Sequence, residues 1–237
     1  MRLKLMSFNT QHCMNFYTRK IDFDLMADTI RRYDGDIVGL NEIRGAGEDL
    51  QEYAAQAQIL AQKAGYPYFY FAKAIDVAGG GPYGNALLSR YPIIFAQTIP
   101  IPDPEEKTEG EWCETRCVLH VKVDVPGGLD VFVTHFGLYG GEQRNAVRTV
   151  TEHLIDSRSI LMGDFNVTPD DPVLAPIRAR MFDTEVLFPE PRLSFTSASP
   201  ERKIDYIFTA RDLAVLSADI PQIVVSDHCP HIAEIEI

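Results

Sequence analysis

The sequence predicts an α/β protein in which two β-sheets pack face to face and helices cover each sheet. Two observations lead to this fold class. A strand–helix–strand pattern occurs twice, from Leu3 to Glu42 and again from Leu129 to Asn166. No low-complexity linker divides the 237 residues, so we expect one domain over residues 1–237. Two packed sheets would bury the apolar faces of both units.

In the N-terminal half, strands are predicted where apolar and polar residues alternate or where turn residues bound a short apolar run. Helices are predicted where apolar residues recur at helical spacing before a glycine. Gly79-Gly80-Gly81-Pro82 is expected to be a flexible loop, and Arg90-Tyr91-Pro92 to join two strands. In chain order the elements are strand Arg2–Thr10, helix Asp24–Tyr33, strand Asp36–Leu40, a long helix Leu50–Ala64, and strands Tyr68–Ala72, Asn85–Ser89 and Ile93–Ile99.

The same patterns predict the C-terminal half. Pro126-Gly127-Gly128 turns one strand back on the next, which predicts a hairpin, and Pro172 lies near the start of a short helix. The stretches Pro100–Glu111 and Phe182–Arg202 are expected to be loops. In chain order the elements are strands Arg116–Val125 and Leu129–His135, helix Glu142–Asp156, strand Ser159–Asn166, helix Pro172–Met181, and strands Lys203–Thr209, Ala214–Ser217 and His231–Ile237.

The composition is that of an ordinary soluble globular protein, with 46% hydrophobic and 24% charged residues. No apolar run approaches the ~20 residues that span a bilayer. Polar residues interrupt the N-terminus, so it is not a signal peptide, and we expect a cytoplasmic location unless a leader has been removed. The four cysteines lack the spacing of a zinc site and are expected to be free thiols. The net charge of −12 argues against a general DNA binder but not against a local basic groove.

The stretch from Ser159 to Asn166 ends an apolar run on a glycine, a carboxylate and a carboxamide. On a strand, alternate side chains face the same way, so Asp164 and Asn166 point together while Phe165 points into the core. A spacing of about 7 Å along the strand lets both reach one small anionic group and its attacking water. The alternative is a strand that runs into a turn formed by Asp and Asn.

Five further positions carry similar chemistry at or near strand ends. They are Ser7-Phe8-Asn9, Leu40-Asn41-Glu42, Thr134-His135-Phe136, Ser226-Asp227-His228, and Asp205 inside the apolar strand that starts at Lys203. A carboxylate in such a strand is costly unless it is paired or binds metal. Each residue alone also fits a structural role: a turn cap for Asn9 and Asp227, an ion pair with Arg44 for Glu42, core burial for His135, and a backbone hydrogen bond for Asp205. Together they favour a catalytic site over coincidence.

Ser-Phe-Asn, Asn-Glu, Gly-Asp-Phe-Asn and Ser-Asp-His follow one another in the order and near the spacings of a known family. With these motifs, the chain from Met1 to Ile237 resembles the endonuclease/exonuclease/phosphatase superfamily. That group includes deoxyribonucleases, neutral sphingomyelinases and inositol polyphosphate phosphatases. The resemblance implies a four-layer α/β sandwich of two mixed sheets flanked by helices. It also implies hydrolysis of a phosphate ester assisted by Mg²⁺ or Mn²⁺.

The resemblance further implies roles for single residues. Glu42 looks like the principal metal carboxylate, with Asn9 beside it and Asp227 as an accessory ligand or a support. Asp164 matches the residue that orients or deprotonates the attacking water, and Asn166 matches a stabiliser of the phosphate. A hard divalent cation on oxygen ligands would offset the charge of the ester, which otherwise repels hydroxide.

Three residues complete the implied machinery. His228 matches the histidine that contacts phosphate and transfers a proton, and Asp205 resembles the carboxylate that orients it. His135 looks like the second histidine of the deoxyribonuclease and sphingomyelinase branches. A carboxylate behind an imidazole fixes its tautomer and favours its charged form, which gives this pairing a physical reason.

Two more positions resemble the family's surroundings of the bound phosphate. Asn85 could donate to a phosphate oxygen, next to Gly84, which would let the backbone approach closely. Arg116 could bind the phosphate, and the alternative is a surface pair with Glu114. Arg90, before Tyr91-Pro92, is expected to be structural.

The substrate is less well indicated by the sequence. An acidic stretch from Asp103 to Glu114 would repel a long polyanion if it rims the pocket, and no strip of basic and aromatic residues suggests a single-strand groove. Trp112 and the loop Gly79–Tyr83 could wall a small organic group. We therefore expect a monomeric phosphodiesterase or phosphomonoesterase acting on a small phosphorylated molecule or lipid headgroup. The alternatives are a metal-dependent nuclease and, from another class, a non-catalytic phosphate-binding module.

Overall fold

A computed structural model describes residues 1–47, 54–77, 81–105 and 113–237. Within these ranges the chain forms two six-stranded sheets and four α-helices. The strands are β1 (Arg2–Asn9), β2 (Ile37–Arg44), β3 (Tyr68–Val77), β4 (Gly81–Ser89), β5 (Ile93–Ile101), β6 (Arg116–Val123), β7 (Leu129–His135), β8 (Ser159–Asp164), β9 (Met181–Asp183), β10 (Asp205–Ala210), β11 (Ala214–Asp219) and β12 (His231–Glu236). The helices are α1 (Phe23–Tyr33), α2 (Gln56–Ala64), α3 (Gly140–His153) and α4 (Ala175–Arg180).

Both sheets are mixed, and each has one parallel pair near its centre. The first sheet has the order β11-β12-β1-β2-β4-β3 and the second β5-β6-β7-β8-β10-β9. In the first sheet β1 and β2 run parallel, and in the second β7 and β8 do. These are the strands of the two predicted strand–helix–strand units. A right-handed helical crossover is the usual way to join parallel neighbours, so the repeat in the sequence corresponds to a repeat in the structure.

Three apolar clusters account for the layers. Alternate residues of the two sheets, such as Leu5 and Val133, form one cluster between the sheets. The outer face of the first sheet packs against α1 and α2, for example Phe8 on Met26 and Ile30. The outer face of the second sheet packs against α3 and α4. The predicted fold class, two packed mixed sheets flanked by helices, is therefore confirmed.

The predicted long helix Leu50–Ala64 is shorter in the described part of the chain. Helix α2 begins at Gln56, and Ala54 and Ala55 before it are not helical. Leu50 and Tyr53 lie outside the described residues. Gln56 is fully buried and uses its side chain to hold two neighbouring loops, so the start of α2 is set by tertiary contacts. Its end is the predicted one, with Gly65 at a φ of 82°.

Other boundaries differ around the loops. Gly81 and Pro82 belong to β4 and pair with β3 instead of forming a flexible loop; Gly79 and Gly80 lie outside the described residues. The connection Arg90-Tyr91-Pro92 leads from β4 in the first sheet to β5 in the second. The hairpin of β6 and β7 is confirmed. A 3₁₀ turn at Pro172–Leu174 precedes α4, so the predicted helix there is divided.

The topology brings the polar strand ends together. The carboxyl ends of the parallel strands β1, β2, β7 and β8 lie at one edge, and the antiparallel neighbours β10 and β12 begin there. Asp205 is the first residue of β10 and pairs with Asp164, the last residue of β8, so it lies at a strand end and not inside a strand. In the described ranges, none of the helices has the length and hydropathy needed to cross a bilayer.

Candidate active site

A buried asparagine joins the two sheets at this edge. Asn41 donates from Nδ2 to the backbone oxygen of Thr134, at 2.8 Å, and its Oδ1 accepts from the backbone N–H of Asp164, at 2.9 Å. Gly163 lets this approach occur, because a Cβ there would lie 1.9 Å from the same Thr134 oxygen and its φ is 143°. Asn41 therefore fixes the end of β8 against the end of β2.

Asn9 stands at the centre of the site. Its Nδ2 lies 3.0 Å from Glu42 Oε1, 3.1 Å from Asp164 Oδ2 and 3.5 Å from His228 Nε2. Its Oδ1 accepts from the backbone N–H of Gln11 at 3.1 Å. Asn9 thus turns its donor toward the acidic groups, and its predicted place in the metal site beside Glu42 remains a prediction.

His228 lies between two carboxylates. Its Nδ1 is 2.8 Å from Asp205 Oδ2 and its Nε2 is 3.5 Å from Asp164 Oδ2. All three side chains are buried, and ligand atoms of the three lie within 4.8 Å of one another, a grouping that could hold a metal ion. A proton between His228 and Asp205 could also offset the negative charge of the carboxylates, since all three side chains are buried. The contact between Asp205 and His228 matches the predicted pairing.

The pKa values of His228 and Asp164 are both raised, for different reasons. Burial lowers the pKa of His228, but the carboxylates of Asp205 and then Asp164 outweigh it and raise the pKa to about 10. Burial raises the pKa of Asp164 to about 7, and the nearby Asp205 carboxylate adds to the rise while His228 opposes it. At neutral pH, the arrangement therefore favours a charged imidazole beside a carboxyl group that is close to its titration point.

His135 and Arg116 form the opposite wall. Arg116 Nη1 lies 2.9 Å from His135 Nδ1, and because a guanidinium can only donate, Nδ1 is the acceptor. Burial, followed by the charge of Arg116, lowers the pKa of His135 well below its ordinary value. The neutral ring then carries its proton on Nε2, which lies 3.5 Å from Asp164 Oδ2 and 3.2 Å from Asn166 Nδ2.

Asn166 reaches the site by a different route from the one the sequence predicts. Strand β8 ends at Asp164, and Asn166 has a φ of 50°, so strict strand alternation does not apply to it. Its Nδ2 donates to the backbone oxygen of Phe136 at 3.0 Å, and its backbone N–H donates to Asp164 Oδ1 at 2.9 Å. Asp164 and Asn166 still lie together, as predicted, and Phe165 packs inward.

Glu42 shares its two carboxylate oxygens between neighbours. Oε1 accepts from Asn9, and Oε2 lies 3.4 Å from Nδ1 of His12. That buried Nδ1 has no hydrogen-bond partner among the residues that the structure describes. Asp227 is held by Gln11, whose Nε2 donates to Oδ2 at 2.8 Å. The carboxylates of Glu42 and Asp227 offer oxygen ligands, and His12 Nδ1 is a buried nitrogen that no hydrogen bond among the described residues uses. These atoms fit a divalent metal at Glu42.

Both predicted substrate-binding residues, Asn85 and Arg116, already have protein partners. Asn85 is buried, accepts from Asn41 and donates to the backbone oxygen of Cys117 at 3.0 Å, so its amide already has protein partners. A Cβ on Gly84 would lie 2.0 Å from the backbone oxygen of Ala72, so that close approach is to β3. Arg116 is buried; it contacts both His135 and Glu114, whose Oε1 is 3.1 Å from Nη1.

Three residues at the site have no role in the sequence prediction. Asn41 precedes Glu42 in the Asn-Glu motif, so the motif could have pointed to it. Gln11 and His12 follow the first strand directly, but no spacing in the sequence shows that they turn back toward Glu42 and Asp227. That turn depends on three consecutive left-handed residues, Gln11, His12 and Cys13, at φ 47°, 54° and 64°.

Comparison with known proteins agrees with the fold and the motifs. The profile of the Endonuclease/Exonuclease/phosphatase family matches residues 6–228. The uncharacterized protein YbhP of Escherichia coli is 25% identical over 257 residues, which cover 99% of this chain and 96% of that protein.

Solved structures show the same fold at lower identity. An endonuclease/exonuclease/phosphatase from Beutenbergia cavernae superposes with a TM-score of 0.87 at 24% identity, over 100% of this chain and 72% of that one. The mannosyl-6-phosphatase Bt3783 of Bacteroides thetaiotaomicron superposes with a TM-score of 0.75 at 17% identity, over 99% and 100%. The profile match covers most of the chain and includes all four motifs. The chain therefore belongs to the endonuclease/exonuclease/phosphatase family.

Proposed function

We propose that this protein is a metal-dependent phosphoesterase that hydrolyses a small phosphate ester with activated water. The observation that supports it most is the contact of one amide, Asn9 Nδ2, with Glu42, Asp164 and His228. Asn9 can donate its two amide hydrogens to the predicted metal ligand and the predicted base, and the predicted acid lies 3.5 Å from the same nitrogen and from Asp164 Oδ2. Such mutual geometry is the first requirement of a hydrolytic site.

Asp164 is the proposed base. Its carboxylate is buried, and burial raises its pKa to about 7, close to the pH at which a base is most effective. The backbone N–H of Asn166 donates to one of its oxygens and the side-chain amide of Asn9 to the other, which holds both in fixed directions. It would take the proton of a water molecule aligned for attack on phosphorus.

His228 is the proposed acid and phosphate contact. Asp205 holds its Nδ1 at 2.8 Å, which leaves Nε2 to donate to a phosphate oxygen or to the leaving group. Across the site, His135 would donate from Nε2, because Arg116 occupies its Nδ1. Asn166 would provide a further amide donor. These donors would meet the charge that develops on the phosphate in the transition state.

Glu42 would hold the metal, with Asn9 and Asp227 nearby. When bound, Mg²⁺ or Mn²⁺ supplies positive charge that polarises the phosphate ester. The site needs such charge, because burial raises the pKa of Asp227 and the Glu42 carboxylate adds to the rise, so these acids repel one another. We propose that residues 1–237 act as one domain and as a monomer, in the cytoplasm.

A small substrate is proposed over nucleic acid. The net charge of −12 opposes a long polyanion, whereas a small ester interacts mainly with the site itself. A relative with the same fold, at 17% identity, is a mannosyl-6-phosphatase, a protein named for a small phosphorylated sugar. A sugar phosphate, a phosphorylated lipid headgroup or a similar small ester would fit this class.

The test is a panel of small phosphomonoesters and phosphodiesters, with plasmid DNA included, assayed with Mg²⁺, Mn²⁺ and a chelator. Glu42→Ala should lose metal binding and at least a hundredfold in rate while remaining folded. Asp130→Asn is a matched control, since Asp130 forms a similar buried pair with His120, at 2.9 Å, away from the site. Full activity after exhaustive chelation, or no activity on any ester, would contradict the proposal.

A further inference from the structure

His12 lies beside the proposed metal carboxylate, with Nδ1 3.4 Å from Glu42 Oε2, and the proposed mechanism does not use it. It follows β1 by three residues, in the left-handed stretch Gln11–Cys13. Non-glycine residues rarely adopt this conformation, and three in succession need strong anchoring. A feature that is strained and anchored at a site indicates a function for the side chain that it orients.

The anchoring contacts hold the His12 backbone to the first sheet. Its N–H donates to the backbone oxygen of Glu42 at 3.0 Å. Its carbonyl oxygen accepts from Nε2 of the fully buried Gln56 at 2.8 Å, and Gln56 in turn accepts from the backbone N–H of Arg44 at 2.9 Å. These bonds fix the backbone of His12 beside Glu42, the residue that its side chain faces.

The contact between the two side chains is not an ordinary hydrogen bond. His12 Nδ1 lies 3.4 Å from Glu42 Oε2, beyond the usual N–H···O range of about 2.7–3.2 Å. Nδ1 is buried and has no other partner among the described residues. Two ligands at about 2.1 Å from one ion and at right angles lie about 3 Å apart. A separation of 3.4 Å is reached when the angle between two such ligands opens to about 108°, so the distance is compatible with a shared metal. The unused Nδ1 is the observation that favours two ligands of one metal over a donor and its acceptor.

The neighbouring contacts leave Nδ1 free for this use. Tyr83 meets the His12 ring edge-on, with ring centroids 5.9 Å apart, and so packs against the ring. Gln11 takes the other carboxylate, Asp227. The side chains of His12 and Glu42 are 22% and 19% exposed, so neither is fully closed off from solvent although Nδ1 itself is buried.

We propose that His12 Nδ1 is a direct ligand of the divalent ion at Glu42 and gives this site a preference for Mn²⁺ over Mg²⁺. The inference rests on the metal dependence proposed above and adds a ligand to it. Imidazole nitrogen suits first-row transition ions, whereas Mg²⁺ favours oxygen ligands and keeps its waters. A site of carboxylates alone would discriminate less between the two ions.

The test measures metal binding without substrate. Titration calorimetry would give the Kd of Mn²⁺ and of Mg²⁺ for the wild type, His12→Ala and His12→Asn. His12→Ala should weaken Mn²⁺ binding at least tenfold and Mg²⁺ binding less than threefold. The Asn oxygen can replace Nδ1, so His12→Asn should keep Mg²⁺ binding and lose the preference for Mn²⁺. His153→Ala is the control, because His153 lies on α3, where its ring bonds to the backbone oxygen of Thr149.

Pulsed electron paramagnetic resonance of the Mn²⁺ complex gives a second readout. The wild type and His153→Ala should show coupling to a directly bound nitrogen, and both His12 variants should lose it. Equal weakening of the two ions with the nitrogen coupling intact would mean that His12 only supports Glu42, and would overturn the proposal. Unchanged binding in both variants would do the same. If the wild type bound neither ion, the proposed metal dependence would fail as well.

Discussion

At the scale of single residues, the site depends on how a few polar groups divide their bonds. Asn9 has one amide nitrogen for three partners, and its oxygen is held by the Gln11 backbone. His228 has one nitrogen for Asp205 and the other for the substrate side. Each group is buried, so a lost partner leaves an uncompensated polar atom, at a cost of about 1–3 kcal/mol. Single substitutions here should therefore displace the neighbouring polar groups as well, and that displacement should lower the reaction rate strongly.

Asp205 and His228 should behave as one unit. Asp205→Asn and His228→Ala should each lower kcat/KM by about 10²–10⁴-fold, and the double variant should be little worse than the more damaged single one. Kinetics of the two single variants and the double variant would measure this. Losses that multiply in the double variant would contradict the pairing.

The pH dependence of Asp205→Asn follows from the direction of the His228 shift. The pKa of His228 is raised from 6.5 to about 10, so the stabilisation of its charged form is fully present below pH 6.5 and is lost as the pH rises through 10. Without the Asp205 charge, the imidazolium should lose its proton at lower pH. The alkaline limb of kcat/KM should move down by at least one pH unit in Asp205→Asn. An unmoved limb, or an unmoved His228 resonance in an NMR titration, would argue against it.

At the scale of elements, α3 ties two loops of the site together. Gln143 lies near its start, and its Nε2 is 3.2 Å from the backbone oxygen of Asn166 and 3.4 Å from those of Gly137 and Leu138. One loop follows β7 and carries His135; the other follows β8 and carries Asn166. A single side-chain amide thus links the two loops just beyond the paired ends of β7 and β8.

Gln143→Leu should reduce kcat about tenfold while changing the free energy of unfolding by only about 1 kcal/mol, the size of one hydrogen bond. The matched control is Asn145→Leu on the same helix, whose amide donates to the backbone oxygen of Pro102, away from the catalytic groups. Steady-state kinetics and urea unfolding of both variants provide the comparison. An equal loss of kcat in the two variants would show a general effect of α3 instead.

Phe165 supports the end of β8 from behind. Its ring is buried against Phe136, Tyr206 and Phe208, with centroids 4.4, 5.1 and 5.6 Å away. Phe165→Ala should lower the free energy of unfolding by about 3–5 kcal/mol because it leaves a cavity, and Phe165→Leu by clearly less. Urea unfolding would measure both. A loss below 1 kcal/mol in Phe165→Ala would mean that the cluster collapses around the gap.

The elements also show what the sequence can predict. The ends of β1 and β7 were predictable to within one residue, because local alternation sets the strand and a polar motif marks its end. Strand β8 stops two residues before the predicted Asn166, which has a φ of 50°. The start of α2 at Gln56 was not predictable, since that residue serves the loop of His12 and the backbone of Arg44. Likewise, the Asn41 bridge and the turn at Gln11–Cys13 depend on which strands become neighbours. Sequence motifs gave the chemistry of the site, and tertiary contacts gave its geometry.

At the scale of the whole molecule, the proposed metal site lies within a chain of strongly negative net charge. The site gathers the carboxylates of Glu42, Asp164, Asp205 and Asp227, and the chain as a whole carries −12. A metal ion offsets charge only within a few ångströms, whereas a DNA duplex would extend over the surrounding surface. At physiological salt, interactions between exposed charges are screened beyond about 8 Å, so a small ester would be affected chiefly by the site.

This negative net charge predicts opposite responses to salt for two substrates. A protein that holds DNA by basic side chains loses affinity steeply as salt rises, because binding releases counterions. Here the negative net charge would repel DNA, so DNA turnover should be poor. Added salt would screen that repulsion, so DNA turnover should stay level or improve between low and physiological salt. A small phosphate ester at equal phosphate concentration should be turned over faster, with little dependence on salt. Measurement of kcat/KM for both substrates across a salt series decides the matter: efficient DNA cleavage that falls steeply with salt would favour a nuclease.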